Sequence, residues 1–160
     1  MIRSATPADA EALAGIYNPF VLGTTVTFEE EPVTAAEMAQ RIEARMALLP
    51  WLVDEEAGRI RGYAYASPWK PRSAYRFTVE STVYVAPDAA RRGVGEALMR
   101  ALLDDLRRRG VHSVIGLIAQ PNAASVALHE KLGFAKAAHL REVGRKFDRW
   151  IDVGNWQLLL

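Results

Sequence analysis

The sequence predicts a single α/β domain over residues 1–160, and three observations predict it. Helical and strand-like patterns alternate along the chain. A β-rich run from Thr78 to Val85 passes through a glycine-bearing turn directly into a helix. Val111 to Ile118 is almost continuously apolar, as expected of a strand buried on both faces. No repeat, low-complexity tract or linker divides the chain. Half of the 160 residues are apolar, and a domain of about 150 residues buries roughly 68–70% of its unfolded surface, so one core without staples is attainable.

The elements follow in order. Thr6-Pro7-Ala8-Asp9 offers a cap, a first-turn proline and an acid at the capping-box position, which predicts a first helix. Thr34-Ala35-Ala36-Glu37 is a second capping box, after which Met38, Ile42, Met46 and Leu49 recur at helical spacing. Trp51–Val53 and Ile60–Ala66 read as strands joined by the turn-like, acidic stretch Asp54–Gly58. Gly93-Val94-Gly95 opens a third helix, whose Leu98, Leu102 and Leu106 share a face and which stops at Gly110. Asn122 caps a fourth helix, ended by Gly133. Phe134–Val143 and Ile151–Leu160 are the last strands, around the polar segment Gly144–Arg149.

Composition removes several classes of function. Cysteine is absent, which excludes a disulfide framework, a thiolate zinc site and a cysteine nucleophile. With 20 basic and 19 acidic residues the formal net charge is +1, so no global field favours nucleic acid or membrane. Met1–Ala5 lacks the basic-then-apolar pattern of a leader, and no apolar run approaches the ~20 residues of a membrane span. The expectation is a cytoplasmic protein with no metal and no nucleic-acid or membrane partner.

The chemical signal is the run Val83-Tyr84-Val85-Ala86-Pro87-Asp88, then Ala89-Ala90-Arg91-Arg92-Gly93-Val94-Gly95 and Glu96. Glycines let the backbone come close to a ligand, and the unpaired N–H groups and positive dipole end of the following helix suit a pyrophosphate. Arg91 and Arg92 add charge. The competing reading is an ordinary strand–turn–helix connection with surface arginines. No Gly-Lys-Ser/Thr ending and no G-x-G-x-x-G pattern is present, so Walker-type nucleotide hydrolysis and Rossmann redox chemistry are excluded.

Strand alternation puts Glu80, Thr82 and Tyr84 on one face and Val79, Ser81, Val83 and Val85 on the other. A carboxylate in an otherwise apolar strand just before the glycine loop is placed to act as a base; the alternative is a solvated or salt-bridged strand glutamate. His129 shares a helix face with Val126 and Leu132, which suits a core histidine or a proton donor. Lys70, Arg72, Tyr75 and Arg76 crowd the loop before Glu80, and a guanidinium matches a carboxylate or phosphinate bidentately. Arg107-Arg108-Arg109 closes a helix, where cations complement the dipole, and receives no role.

Val83 to Leu98 resembles the acetyl-CoA motif of GNAT acetyltransferases, and Asn122-Ala123-Ala124-Ser125 with Leu128-His129-Glu130-Lys131-Leu132-Gly133-Phe134 resembles that family's next motif. Further stretches resemble the phosphinothricin and methionine sulfoximine N-acetyltransferases. They include Thr24–Glu29, Gly62-Tyr63-Ala64, Pro68-Trp69-Lys70, Tyr75-Arg76, Thr78-Val79-Glu80, His139–Gly144 and Lys146–Asp152. The resemblance implies a mixed central sheet flanked by about four helices, acetyl-CoA as cosubstrate, and a cytoplasmic homodimer that acetylates glutamate-like phosphinates, sulfoximines or sulfones. It implies cosubstrate contacts from Val83, Tyr84, Val85, Arg91, Arg92, Gly93, Val94, Gly95, Glu96, Asn122 and Ser125. It places Phe28 and Glu29 at the acceptor; of the basic loop's Lys70, Tyr75 and Arg76, Arg76 is the candidate to grip the acid group, with a solvated loop as the alternative. Glu80 becomes the general base, and His129 stands where the wider family carries a tyrosine acid near the CoA sulfur. The chain departs from the pattern at Ala90, Ser81 and Ala119, the first in the cosubstrate loop and the others near the acceptor cleft.

The apolar tail Trp156–Leu160 is open to two readings, a dimer interface or a core strand. Two other functions remain beside the first: acetylation of a protein N-terminus or another small amine, and a non-catalytic acyl-CoA-binding module. Retention of Glu80 and His129 disfavours the module, and the basic loop before Glu80 favours small acidic substrates.

Overall fold

The computed structural model describes residues 1–160. It runs β1 (Ile2–Ser4), α1 (Ala10–Gly23), α2 (Ala35–Met46), β2 (Trp51–Glu56), β3 (Arg59–Pro68), β4 (Thr78–Val85), α3 (Val94–Arg108), β5 (Ser113–Ala119), α4 (Ala123–Lys131), β6 (Ala135–Lys146) and β7 (Arg149–Leu159). The strands make one mixed sheet in the order β1-β2-β3-β4-β5-β7-β6, so the four expected helices and the α/β class are present.

Local chemistry sets the element ends. At Thr34 the hydroxyl accepts from the Glu37 N–H at 3.2 Å while the Glu37 carboxylate accepts from the Thr34 N–H at 2.8 Å, closing the expected capping box of α2. At Thr6 the same logic works through Asp9, which accepts the Thr6 N–H at 2.7 Å and two Arg3 nitrogens at 2.8 Å. That box opens a short 3-10 turn over Pro7–Asp9, and the α-helix proper begins at Ala10. In α3, Leu98, Leu102 and Leu106 are fully buried, and the helix packs on β2, β3 and β4. Asn122 caps α4 by accepting the Ser125 N–H at 3.1 Å, and Gly133 ends it in the left-handed region at φ +93°.

One expectation needs correction, and one open choice is decided. The segment Gly144–Arg149 is not a polar connection: Gly144, Arg145 and Lys146 pair with Ile151, Trp150 and Arg149, and only Phe147 and Asp148 turn the chain, at φ 51° and 56°. Two successive left-handed residues make the tight hairpin turn that matches strand twist, and the phenylalanine in that role hides the turn from composition. Of the two readings of the tail from Trp156, the core strand holds. It lies in β7 between β5 and β6, with Trp156 buried in the core.

Candidate active site

β4 and β5 are the sheet's parallel pair, and they part early. Their ladder holds at Thr78↔Ser113, Val79↔Val114 and Glu80↔Ile115 and then stops, although β4 continues to Val85 and β5 to Ala119. On the other side of β4, the Ala86 N–H bonds the Arg61 carbonyl of the β3 side at 2.8 Å. By the alternation of an antiparallel ladder, Val83 and Val85 therefore direct their backbone groups away from β3, into the gap. The gap is a free strand edge ready for an extended ligand that carries amides of its own.

The glycine loop closes one end of this gap. Pro87–Ala89 form a 3-10 turn, Arg91 and Gly93 are left-handed at φ 63° and 79°, and α3 starts at Val94. A left-handed residue that is not glycine costs on the order of 1–3 kcal/mol and persists where the surroundings demand it. Turns built on left-handed residues favour converging N–H groups, and the first-turn donors of α3 lie next to this one. Arg91 and Arg92 are exposed. Gly95 brings α3 to ordinary contact with Val85 and Leu128, where an added Cβ would sit 3.4 and 3.5 Å from their side chains. These features fit a pyrophosphate-bearing cosubstrate. Glu96, also expected there, commits its carboxylate to Arg100 at 2.9 Å and Lys131 at 2.5 Å, tying α3 to α4. Only its backbone donor faces the loop's task.

Beside the gap lies a cavity of about 340 Å³ that gathers Phe28, Glu29, Glu80, Val83, Tyr84, Asn122, Ser125 and His129 from segments distant in sequence. The Glu80 carboxylate makes no hydrogen bond within the chain, and burial raises it above the ordinary glutamate range, against the opposing fields of Arg45 and Lys70. His129 is buried, with its ring edge-on to Phe134, and burial lowers its pKa. Its Nδ1 lies 2.8 Å from the Ser125 carbonyl. A carbonyl only accepts, so Nδ1 carries the hydrogen and the neutral ring leaves a lone pair at Nε2. Nε2 is held against β5 at Gly116, where an added Cβ would lie 2.6 Å away. The Tyr84 ring packs on Tyr17, Phe20 and Tyr63, and its backbone, out of phase with Val83 and Val85, faces β3 rather than the gap.

The acceptor side differs most from the sequence reading. Lys70, Tyr75 and Arg76 are outside the cavity wall. Arg76 lies over the Phe77 ring at 4.4 Å and donates to the Ser73 carbonyl at 3.1 Å, Lys70 lies over Trp69 at 4.9 Å, and Tyr75 is exposed. The 3-10 turn Ser73–Tyr75 carries this stretch along the surface. The wall holds Arg41 and Arg45 of α2 instead, together with Tyr17, Thr27, Tyr65 and Ser81. Glu29 grips Arg41 bidentately, at 2.6 and 2.9 Å, and also accepts from the Tyr17 hydroxyl. Arg41, then the Tyr17 hydroxyl, hold the Glu29 carboxyl below its ordinary range against burial. The Ser81 hydroxyl is buried without a partner. The i,i+4 spacing of Arg41 and Arg45 was the available signal for this wall.

A larger hollow, about 560 Å³, lies between the N-terminal turn and the β2–β3 hairpin. Its charges are matched internally, Arg3 with Asp9 and Glu55, and Arg59 with Asp88. The start of α1 borders it, but Asp9 and Arg3 already pair there, and no free base faces it.

A split parallel strand pair, a helix N-terminus behind a glycine loop and a half-buried carboxylate without a partner fit a group-transfer enzyme with an extended, pyrophosphate-bearing donor. The chain belongs to the GNAT acetyltransferase family: residues 2–154 match the acetyltransferase (GNAT) domain. It is 45% identical over 156 residues to the phosphinothricin N-acetyltransferase of Streptomyces viridochromogenes, covering 98% of this chain and 85% of that protein. It is 41% identical to the L-methionine sulfoximine/L-methionine sulfone acetyltransferase of Salmonella typhimurium, covering 99% of this chain and 94% of that one. The solved structure of a GNAT phosphinothricin acetyltransferase from Sinorhizobium meliloti in complex with acetyl-CoA superposes with a TM-score of 0.96, at 36% identity, covering 100% of this chain and 88% of that one. The protein is an N-acetyltransferase.

Proposed function

We propose that this enzyme transfers the acetyl group of acetyl-CoA to the α-amino group of a small amino-acid analogue of the phosphinothricin, methionine sulfoximine or methionine sulfone type. The observation that carries the reading is Glu80, a carboxylate with no internal partner, raised by burial, at the point where β4 and β5 separate. Amino acids reach the enzyme as ammonium ions, since α-amino groups titrate at about 7.7–8.0, and only the neutral amine attacks a carbonyl. Glu80 takes that proton, directly or through water, and its raised pKa brings it closer to the amine's. Acetyl-CoA supplies the thioester. The N–H groups of the gap edge near Val85 receive the charge that develops on the carbonyl oxygen. His129, neutral with Nε2 free, accepts a proton from the attacking nitrogen and returns it to the departing thiolate. It acts as acid only after first acting as base.

The acceptor pocket supports a small substrate: Phe28 covers it from the α1–α2 loop, and its volume suits one amino acid beside the thioester. A cytoplasmic homodimer completes the reading. β6 is an edge strand exposed along nearly its whole length, and its hairpin displays Leu140, Val143, Phe147 and Trp150. Long apolar edges of this kind are normally covered. The test is a panel of L-phosphinothricin, L-methionine sulfoximine, L-methionine sulfone, ordinary amino acids and an N-terminal peptide with acetyl-CoA, followed by thiol release. Turnover concentrated on the first three is expected; preference for the peptide would overturn the reading.

A further inference from the structure

The charges around the acceptor cavity, Glu29, Glu80, Arg41 and Arg45, match in number but do not all pair. Glu29 neutralises Arg41 through two hydrogen bonds. Arg45, one helical turn further along α2, lines the same cavity, yet its guanidinium forms no ion pair and no hydrogen bond with the chain. Its guanidinium is held by aromatic faces, 4.8 Å above the Tyr65 ring and 5.7 Å from that of Trp51. Those two rings are themselves stacked at 4.2 Å on adjacent strands, which makes a rigid platform. A guanidinium stacked on its face keeps its edge donors free, in a fixed plane, for a planar oxyanion.

We propose that Arg45 is the anchor for the α-carboxylate of the acceptor. The proposal rests on the amino-acid reading above and deepens it. The amine and carboxylate of an amino acid share one carbon, so the cation that binds the acid must lie close to the base that serves the amine. Arg45 and Glu80 face one cavity, and among the charges acting on Glu80 the field of Arg45 exceeds that of Lys70. Arg76 does not meet the requirement, because it lies outside the cavity with its guanidinium on Phe77. The division of labour is then complete. Arg41 fixes Glu29 and the loop that carries Phe28, Arg45 binds the acid, and Glu80 takes the ammonium proton.

The test compares two acceptors that differ only in the carboxylate: L-methionine sulfone and 3-(methylsulfonyl)propylamine. Arg45→Met keeps the stem on Tyr65 and removes the charge. It should raise KM for L-methionine sulfone about 10- to 100-fold, the range for losing a charged hydrogen-bond pair, with kcat changed far less. The amine should show an unchanged KM. A pH–rate profile of both proteins on both acceptors separates a change in Glu80 titration, which moves the two acceptors together, from loss of the anchor, which moves only the sulfone. Arg45→Lys should recover part of the loss, since it restores charge without the fork. Equal losses on the two acceptors, or none, would overturn the anchor while leaving the amino-acid reading intact. Failure of the wild-type enzyme to acetylate any amino-acid analogue would overturn that reading and the anchor with it. A melting curve with acetyl-CoA confirms that each variant is folded, and Arg45→Gln serves if Arg45→Met is not.

Discussion

A single methyl group at Gly116 tests whether the placement of His129 matters. A Cβ built there lies 2.6 Å from His129 Nε2 and 2.7 Å from Cδ2, about 0.8 Å short of the 3.4 Å at which ordinary contact begins. The ring cannot swing away freely. It is buried, it lies edge-on to Phe134, and its Nδ1 hydrogen is held by the Ser125 carbonyl at 2.8 Å. Gly116→Ala must therefore shift the ring or α4 by most of an ångström. Misplacing a reacting group by about 1 Å costs on the order of 10²-fold in rate, and overpacking a buried site costs about 1–3 kcal/mol of stability. The expected outcome is a folded enzyme whose Tm falls by roughly 2–4 °C per kcal/mol and whose kcat/KM falls by about two orders of magnitude, read by thiol release at saturating acetyl-CoA. The decisive comparison is Gly116→Ala in a His129→Ala background, where the methyl has room and should cost little more. Full activity of Gly116→Ala, or the same fold-loss with and without the imidazole, would refute a catalytic position for His129.

Glu80→Gln should cut turnover near pH 7 by about 10²–10⁴-fold while acetyl-CoA binding is unchanged. Because burial raises the Glu80 carboxyl, the acid limb of the wild-type kcat/KM profile should lie above pH 4.5. As pH falls through that raised value, the base is protonated and rate is lost. For stability the sign is opposite: the native state binds this proton more readily than the unfolded chain, so the cost of the buried carboxylate is present at neutral pH and relieved on acidification. Glu80→Gln should accordingly be no less stable than wild type at pH 7, by denaturant melts. Gly93→Val places a β-branched residue at φ +79° in the loop before α3. It should abolish the stabilisation of about 2.7 kcal/mol that acetyl-CoA at 100 times its Kd gives the wild type, and an unchanged thermal shift would place the pyrophosphate elsewhere.

Most of the fold was legible because its signals are short-range. The Thr34–Glu37 box, the leucine face of α3, the Asn122 cap and the terminating Gly133 each lie within a few residues, and each appears where the pattern put it. What escaped depends on partners far along the chain. β1 is three residues long and exists as a strand because β2 pairs with it. Lys146, read as part of a polar loop, is buried in β6, where its ammonium donates at 2.8 Å to the Thr27 carbonyl, 119 residues away. Gly144 in the same strand leaves the space that the Phe28 ring occupies, for a Cβ there would overlap the ring. No periodicity in residues 134–149 could announce a partnership with residues 27 and 28.

The two halves of the site were unequally legible for the same reason. The cosubstrate side is contiguous: strand edge, left-handed turn and helix N-terminus all fall between Val83 and Glu96, so the motif and the machinery are one stretch of chain. The acceptor side is assembled from the α1–α2 loop, α2, β4 and α4. There, local reading ranks cations by nearness to Glu80 in sequence, and that favours Lys70 and Arg76. Space ranks them by what neutralises them and where they point. Arg41 and Arg45 are indistinguishable as letters one turn apart on a helix, but Glu29 binds the first and leaves the second on its aromatic platform. An unmatched charge beside a base is what an amino-acid acceptor needs, and a charge becomes unmatched only after every other partner has been placed.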